Sequence, residues 1–389
     1  MTFAALPRRA LPLLAAAAAL VGGVGWMAFA KDSPRQPAPD GSYGFLVTGV
    51  VPAIYKGTEK GDCPDGRAHS TLEAYLATQT PAERIRLQKP ENALELEKKY
   101  KVDFVTDDLG HDICRQPEAF DRAPARIAGG RTSFGMDLDG GDSANTCAHG
   151  EFQSPTGETG VDNQFYRVVG CTNWWRGAVG GPPGEAGEGW RMRWATGDSR
   201  AVVVLRGVDD WRNDDHVEFV LATSKDPAPV GADGKVIAGG SLRMTDNPRW
   251  RNSGTGRIRD GVLVTNPMEV AIYMRMGTDS EIRIRHARFR LKILPNGELD
   301  GMVAGYQKPR EALAKMLAGS VISTDIQLEC AALYKAAHVY ADGDRDPQTG
   351  KCTTLSTAFE FFAKPAYVFE HDGTLIATRQ SRTVRTASQ

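Results

Sequence analysis

The run Glu281–Leu294 (EIRIRHARFRLKIL) constrains the fold more than any other stretch of this chain. Ile282 and Ile284 alternate with Arg283 and Arg285, and then Ala287, Phe289, Leu291 and Ile293 alternate with Arg288, Arg290 and Lys292. A period of two is that of a strand with one buried face. The phase slips by one residue at His286, which predicts a β-bulge, because without one the second half would turn its apolar side chains to water. Such a strand needs partners, and the chain supplies them. Ala201–Val208 (AVVVLRGV) and Val217–Ala222 (VEFVLA) are apolar runs; Gly261–Thr265 and Val270–Met276 flank an Asn266-Pro267 turn; Leu299–Tyr306 follows Pro295-Asn296-Gly297. Many short strands between turns point to a sandwich or a barrel.

Helix signals lie on either side. Ser70 with Glu73 is a capping box opening a helix over Leu72–Ala77, and Thr80-Pro81 with Glu83 repeats it. A charged helix is expected over Glu91–Lys101, and further helices over Pro309–Leu317 and from Thr324 or Asp325 to about Tyr340, before a strand at Phe359–Phe369. The expected fold is mainly β, with a sandwich-like or jelly-roll-like core and helical N- and C-terminal segments, α+β overall. Its parts are a signal peptide (1–30), a proline-rich linker (31–42), a mixed part (43–130), the β core (131–307) and a helical part with an aspartate loop and a final strand (308–389).

Arg8 and Arg9 precede an uncharged run, Ala10–Ala30, that ends Ala28-Phe29-Ala30, the pattern of a cleavable secretory signal. The run is also about as long as a membrane span, but its alanine and glycine content makes a weak anchor, so no span is expected after cleavage. The expected location is periplasmic or secreted. Six cysteines, Cys63, Cys114, Cys147, Cys171, Cys330 and Cys352, then suggest disulfides. Sequential pairing is the simplest expectation. The absence of CxxC argues against a zinc knuckle or redox motif. With 47 Lys+Arg against 48 Asp+Glu, the chain has no basic footprint for nucleic acid.

Two aspartate loops look suited to calcium, which takes six to eight oxygen ligands in a flexible shell. One is Asp137-Leu-Asp139-Gly-Gly-Asp142, with Asp162 in GVDNQ as a further donor. The other is Asp342-Gly-Asp344-Arg-Asp346. Its acids match the start of an EF-hand loop, but Pro347 at the sixth position and Thr353 at the twelfth break the pattern. Calcium here is expected to be structural. Asp and Gly are also what ordinary turns use.

Other candidates weigh less. Gly141-Asp142-Ser143 and Gly197-Asp198-Ser199 lack the histidine and carboxylate that a serine nucleophile needs. Asp209, Asp210, Asp214, Asp215, His216 and Glu218 crowd one turn, as a carboxylate pair of a glycosidase or a solvated hairpin tip would. Trp174 and Trp175 are candidate ligand-binding residues: neighbours on a strand point to opposite faces, so one indole is expected to be exposed and able to stack on a sugar ring. Arg283, Arg285, Arg288, Arg290 and Lys292 form a basic stripe, suited to an anionic polymer such as an acidic polysaccharide or to lipid headgroups, or else an outer face crossed by acidic neighbours. No catalytic signature is complete. The expectation is a non-catalytic, disulfide- and calcium-stabilised envelope or extracellular protein for structure or for recognising a ligand or partner, possibly carbohydrate. A secreted carboxylate-dependent polysaccharide hydrolase is the alternative.

Overall fold

The computed structural model describes residues 41–140, 146–147, 149–177, 185–275 and 279–379. The expected signal segment, most of the linker, and Asp142 lie outside them. Among the described residues no helix is long and apolar enough to cross a membrane.

Twelve strands join one large mixed sheet: β1 (Tyr43–Pro52), β2 (Ala201–Arg206), β3 (Asp214–Thr223), β4 (Ser241–Arg243), β5 (Arg251–Arg259), β6 (Val262–Thr265), β7 (Met268–Arg275), β8 (Asp279–Ile293), β9 (Leu299–Gln307), β10 (Gly343–Arg345), β11 (Cys352–Phe369) and β12 (Leu375–Ala377). The protein is thus mostly β with added helices. The order β1-β2-β3-β5-β6-β8-β9-β11 returns to its start, because β1 also pairs with β11, Gly44 opposite Ala366 and Pro52 opposite Phe359. Every pairing around this circuit is antiparallel. The core expected to be sandwich-like is therefore one sheet closed into a barrel, a closure that leaves no free edge around the ring.

The alternating residues fill that ring. Phe45, Val203, Leu205, Phe219, Leu221, Ile258, Leu263, Phe289, Leu291, Val303 and Phe361 belong to one buried cluster. Phe289 lies 4.6 Å from Phe219 and 5.3 Å from Phe361, ring centre to ring centre. Each such ring contributes roughly 1.5–3 kcal/mol by leaving water. The slip at His286 is a bulge: β8 pairs with β9 at Arg285 opposite Tyr306 and next at Arg288 opposite Ala304. His286 has φ +50° there. Gly305 faces the extra residues, and a Cβ on it would meet the Arg285 carbonyl oxygen at 2.6 Å.

A second core packs helices beside the barrel, with Phe165, Val168, Val169, Trp175, Leu313, Leu333 and Ala336 among its members. Both predicted N-terminal caps form: Ser70 and Glu73 make a capping box before the helix Thr71–Ala77, and Thr80 accepts from Glu83 N before Pro81–Leu87. The later helices depart from expectation. Pro309–Ala312 is a single turn, and Glu329, rather than Thr324 or Asp325, caps the helix Cys330–Val339.

All six cysteines are in disulfides, but the sequential pairing is wrong. The bonds are Cys63–Cys171, Cys114–Cys330 and Cys147–Cys352. Each spans more than 100 residues, because the fold sets segments distant in sequence side by side. Three disulfides fit an oxidising, extracytoplasmic compartment.

Candidate functional site

The site is built on the outer wall of the barrel. Met136 and Leu138 are buried with Ala304, Tyr306 and Ala358, residues of β9 and β11. Alternation then leaves Asp137 and Asp139 on the side away from the barrel wall. Asp162 joins them through backbone pairing: its N–H donates to the Met136 carbonyl at 2.9 Å, and its Oδ2 accepts from Leu138 N at 2.8 Å. One carboxylate oxygen from each of Asp137, Asp139 and Asp162 lies within 4.8 Å of the others.

The second aspartate loop arrives at the same place. The Cys147–Cys352 disulfide joins the segment after the first loop to the start of β11, and Cys147 N donates to the Asp342 carbonyl at 2.9 Å. Asp342 is buried, and its Oδ1 accepts from Ser356 N at 2.7 Å. The three acids of this loop do not converge as the first set does. Asp344 faces His286, with Oδ1 3.6 Å from Nε2, and Asp346 turns back to accept from Gln348 N and Thr349 N. A strand period of two would set Asp342 and Asp344 on one face, but Asp344 has φ +48°, which breaks that alternation and leaves its side chain exposed while Asp342 stays buried.

Electrostatics marks the convergence. Burial, with the charges of Asp139, Asp137 and Glu151, pushes the Asp162 carboxyl up to about 7, against a hydrogen bond from Leu138. Burial pushes Asp342 up to about 7 as well, with the charge of Asp162 adding to it against bonds from Ser356. The Tyr306 phenol is raised by burial and by Asp342, Asp162 and Asp139. Four acids from three segments, Asp137 and Asp139, Asp162, and Asp342, thus act on one buried region.

Beside it opens a cleft of about 780 Å³, within the range of small-molecule sites. Leu138, Asp139, His286, Arg288, Tyr306, Gly343, Asp344 and Arg345 are among its walls. Gly343 is required there, because a Cβ would sit 2.3 Å from the Tyr306 ring.

The remaining sequence candidates fall elsewhere. Trp174 and Trp175 lie on the short helix Asn173–Arg176, not on a strand, and both are buried; Trp175 is fully enclosed and its Nε1 donates to the Tyr55 carbonyl. The expected exposed indole is absent from this pair, because a helix turn lets both neighbours face the second core. The acidic turn before β3 is solvated: Asp214 accepts from Asp209 N and His216 N, and Asp215 pairs with Arg259. His149 is not elsewhere but beside the second aspartate loop, where it bonds the Ala341 carbonyl at 2.9 Å. Ser199 is buried and accepts from Arg275 N. The basic stripe is crossed by acids at Arg283, Arg285 and Arg290, paired with Glu281, Glu311 and Glu158. Sequence reasoning missed Tyr306 and Arg288 as neighbours of the aspartates and gave Arg345, inside the second loop, no role; for Arg288 the signal was the bulge at His286, two residues before it on β8. Comparison with family models, curated proteins and solved structures gave no match for this chain.

Proposed function

We propose that this is an exported, disulfide-stabilised recognition protein that holds a calcium ion at Asp137, Asp139 and Asp162 beside its ligand cleft. One observation carries the reading: three carboxylates from two segments share a space that fits a single ion. Oxygens on opposite sides of calcium, at about 2.3–2.6 Å each, lie about 5 Å apart, and these lie within 4.8 Å. Three like charges gathered with the buried Asp342 nearby cost stability unless a cation offsets them. The ion would supply charge neutralisation and a rigid frame for the loop 137–140, and no step of chemistry is assigned to it. The polysaccharide hydrolase reading has less to stand on, since Trp174 and Trp175 are buried and the acidic turn is solvated.

Thermal unfolding with calcium and with chelator tests the proposal. Calcium at a hundredfold excess over its dissociation constant adds about 2.7 kcal/mol, so a clear upward shift of Tm is expected. Asp162→Asn keeps the bond from Leu138 and removes a charge. It should be at least as stable as the native chain in chelator, and it should lose the calcium shift. A native chain indifferent to calcium, or a variant that keeps the full shift, overturns the assignment.

A further inference from the structure

The basic stripe leaves one arginine over. Arg283, Arg285 and Arg290 each close on a carboxylate. Arg288, between them on β8, has no carboxylate partner among the described residues. Its Nη1 donates to the Asp137 carbonyl oxygen at 3.2 Å, and its side chain lines the cleft next to Asp139. Arg345, reaching the same cleft from β10, likewise has no ion pair among the described residues. A guanidinium has five donors in a planar fork that matches carboxylate and phosphate oxygens. Two forks with donors to spare, in one cleft, are the arrangement that receives an oxyanion.

The same walls carry Asp139 and Asp344, which repel a bare anion. A divalent ion held by Asp137, Asp139 and Asp162 reverses that repulsion, and the Arg288 contact to Asp137 places the fork against the ion's own loop. We infer that the cleft binds a ligand through a carboxylate or phosphate group, gripped by Arg288 and Arg345 and shared with the cation. This rests on the cation assignment above. It adds the ligand's chemistry and makes a thermodynamic demand: if the cation tightens the anion by some factor, the anion must tighten the cation by the same factor.

Calorimetric titration of the oxidised protein tests it. Calcium is titrated first by itself. Galacturonate and methyl phosphate are then titrated separately, in calcium and in chelator, on the native chain and on Arg288→Gln, Arg345→Gln and the control Arg283→Gln. At least one anion should bind in calcium and fail in chelator; which one binds separates a carboxylate from a phosphate ligand. Arg288→Gln and Arg345→Gln should weaken that anion tenfold or more, leave calcium affinity without anion within threefold, and keep the native near-UV dichroism. Arg283→Gln should change neither. Calcium binding with no heat from either anion sinks this inference alone, as does an anion affinity untouched by Arg288→Gln. Failure of the first titration sinks the cation assignment, and this inference with it.

Discussion

Lys315 is a half-buried amine with a consequence for pH. It lines a narrow crevice with Phe165, Trp174, Trp190, Phe359, Glu281 and Glu311. Burial, assisted by the charge of Arg193, pushes it down to about 8. In the unfolded chain it titrates near 10.5. Below pH 8 both states carry the proton, and the cost of burying the charge is fully present. Between 8 and 10.5 the unfolded chain binds more protons than the native one, so stability rises with pH. The gain should be about 1 kcal/mol, well below the full shift because half of the group stays wet. Urea midpoints at pH 7.5 and 9.5 measure it, and Lys315→Met should remove this rise; equal slopes in the two proteins would assign it to another group. The same crevice explains why the indoles were misjudged. Composition marks tryptophans as large and apolar, but whether Trp174 meets solvent depends on a helix too short to show a period in the sequence.

At the scale of elements, alternation was legible and connectivity was not. β8 and its bulge could be read from one 14-residue run because a strand with one wet face writes its period into the side chains. β11 could be read only in its second half. Its first half carries buried Thr354, Ser356 and Thr357, small polar residues that write no apolar period; the Ser356 hydroxyl accepts from Gln164 N at 2.9 Å and the Thr357 hydroxyl donates to the Gly305 carbonyl at 3.3 Å. The aspartate loops were legible as acid-rich turns, but their meeting was not, since it depends on the Cys147–Cys352 bond and on β9 and β11 lying between them. The bulge itself makes a prediction. Gly305→Ala would set a methyl 2.6 Å from the Arg285 carbonyl and 3.0 Å from the Ala287 Cα, both backbone. A loss of about 2–3 kcal/mol is expected, read as a fall in Tm by calorimetry. An unchanged Tm would mean that the ladder yields at this point.

For the whole molecule, closure of the ring is the organising fact. β1 and β11 are the first and the penultimate strands, so the seam joins residues about as far apart as the chain allows, and no local signal announces it. The seam also brings the two described ends together: Tyr43 bridges Thr378, Gly44 N donates to the Thr378 carbonyl at 2.9 Å, and Thr378 N returns to Ser42 at 3.2 Å. The barrel therefore has no intrinsic first strand. If residues 42 and 379 were spliced by a few glycines and serines and the chain were cut in the exposed turn at Pro295-Asn296, every rung between strands would survive in a new order. Such a permutant should give the far-ultraviolet dichroism of the native chain and the same response to calcium; loss of the β signal would show that order of synthesis matters to this ring. Among the described residues, then, the first and last turns of the path lie side by side, like the two ends of a cord drawn through one eyelet, and a label placed at Ser42 and one placed at Arg379 would report on the same spot.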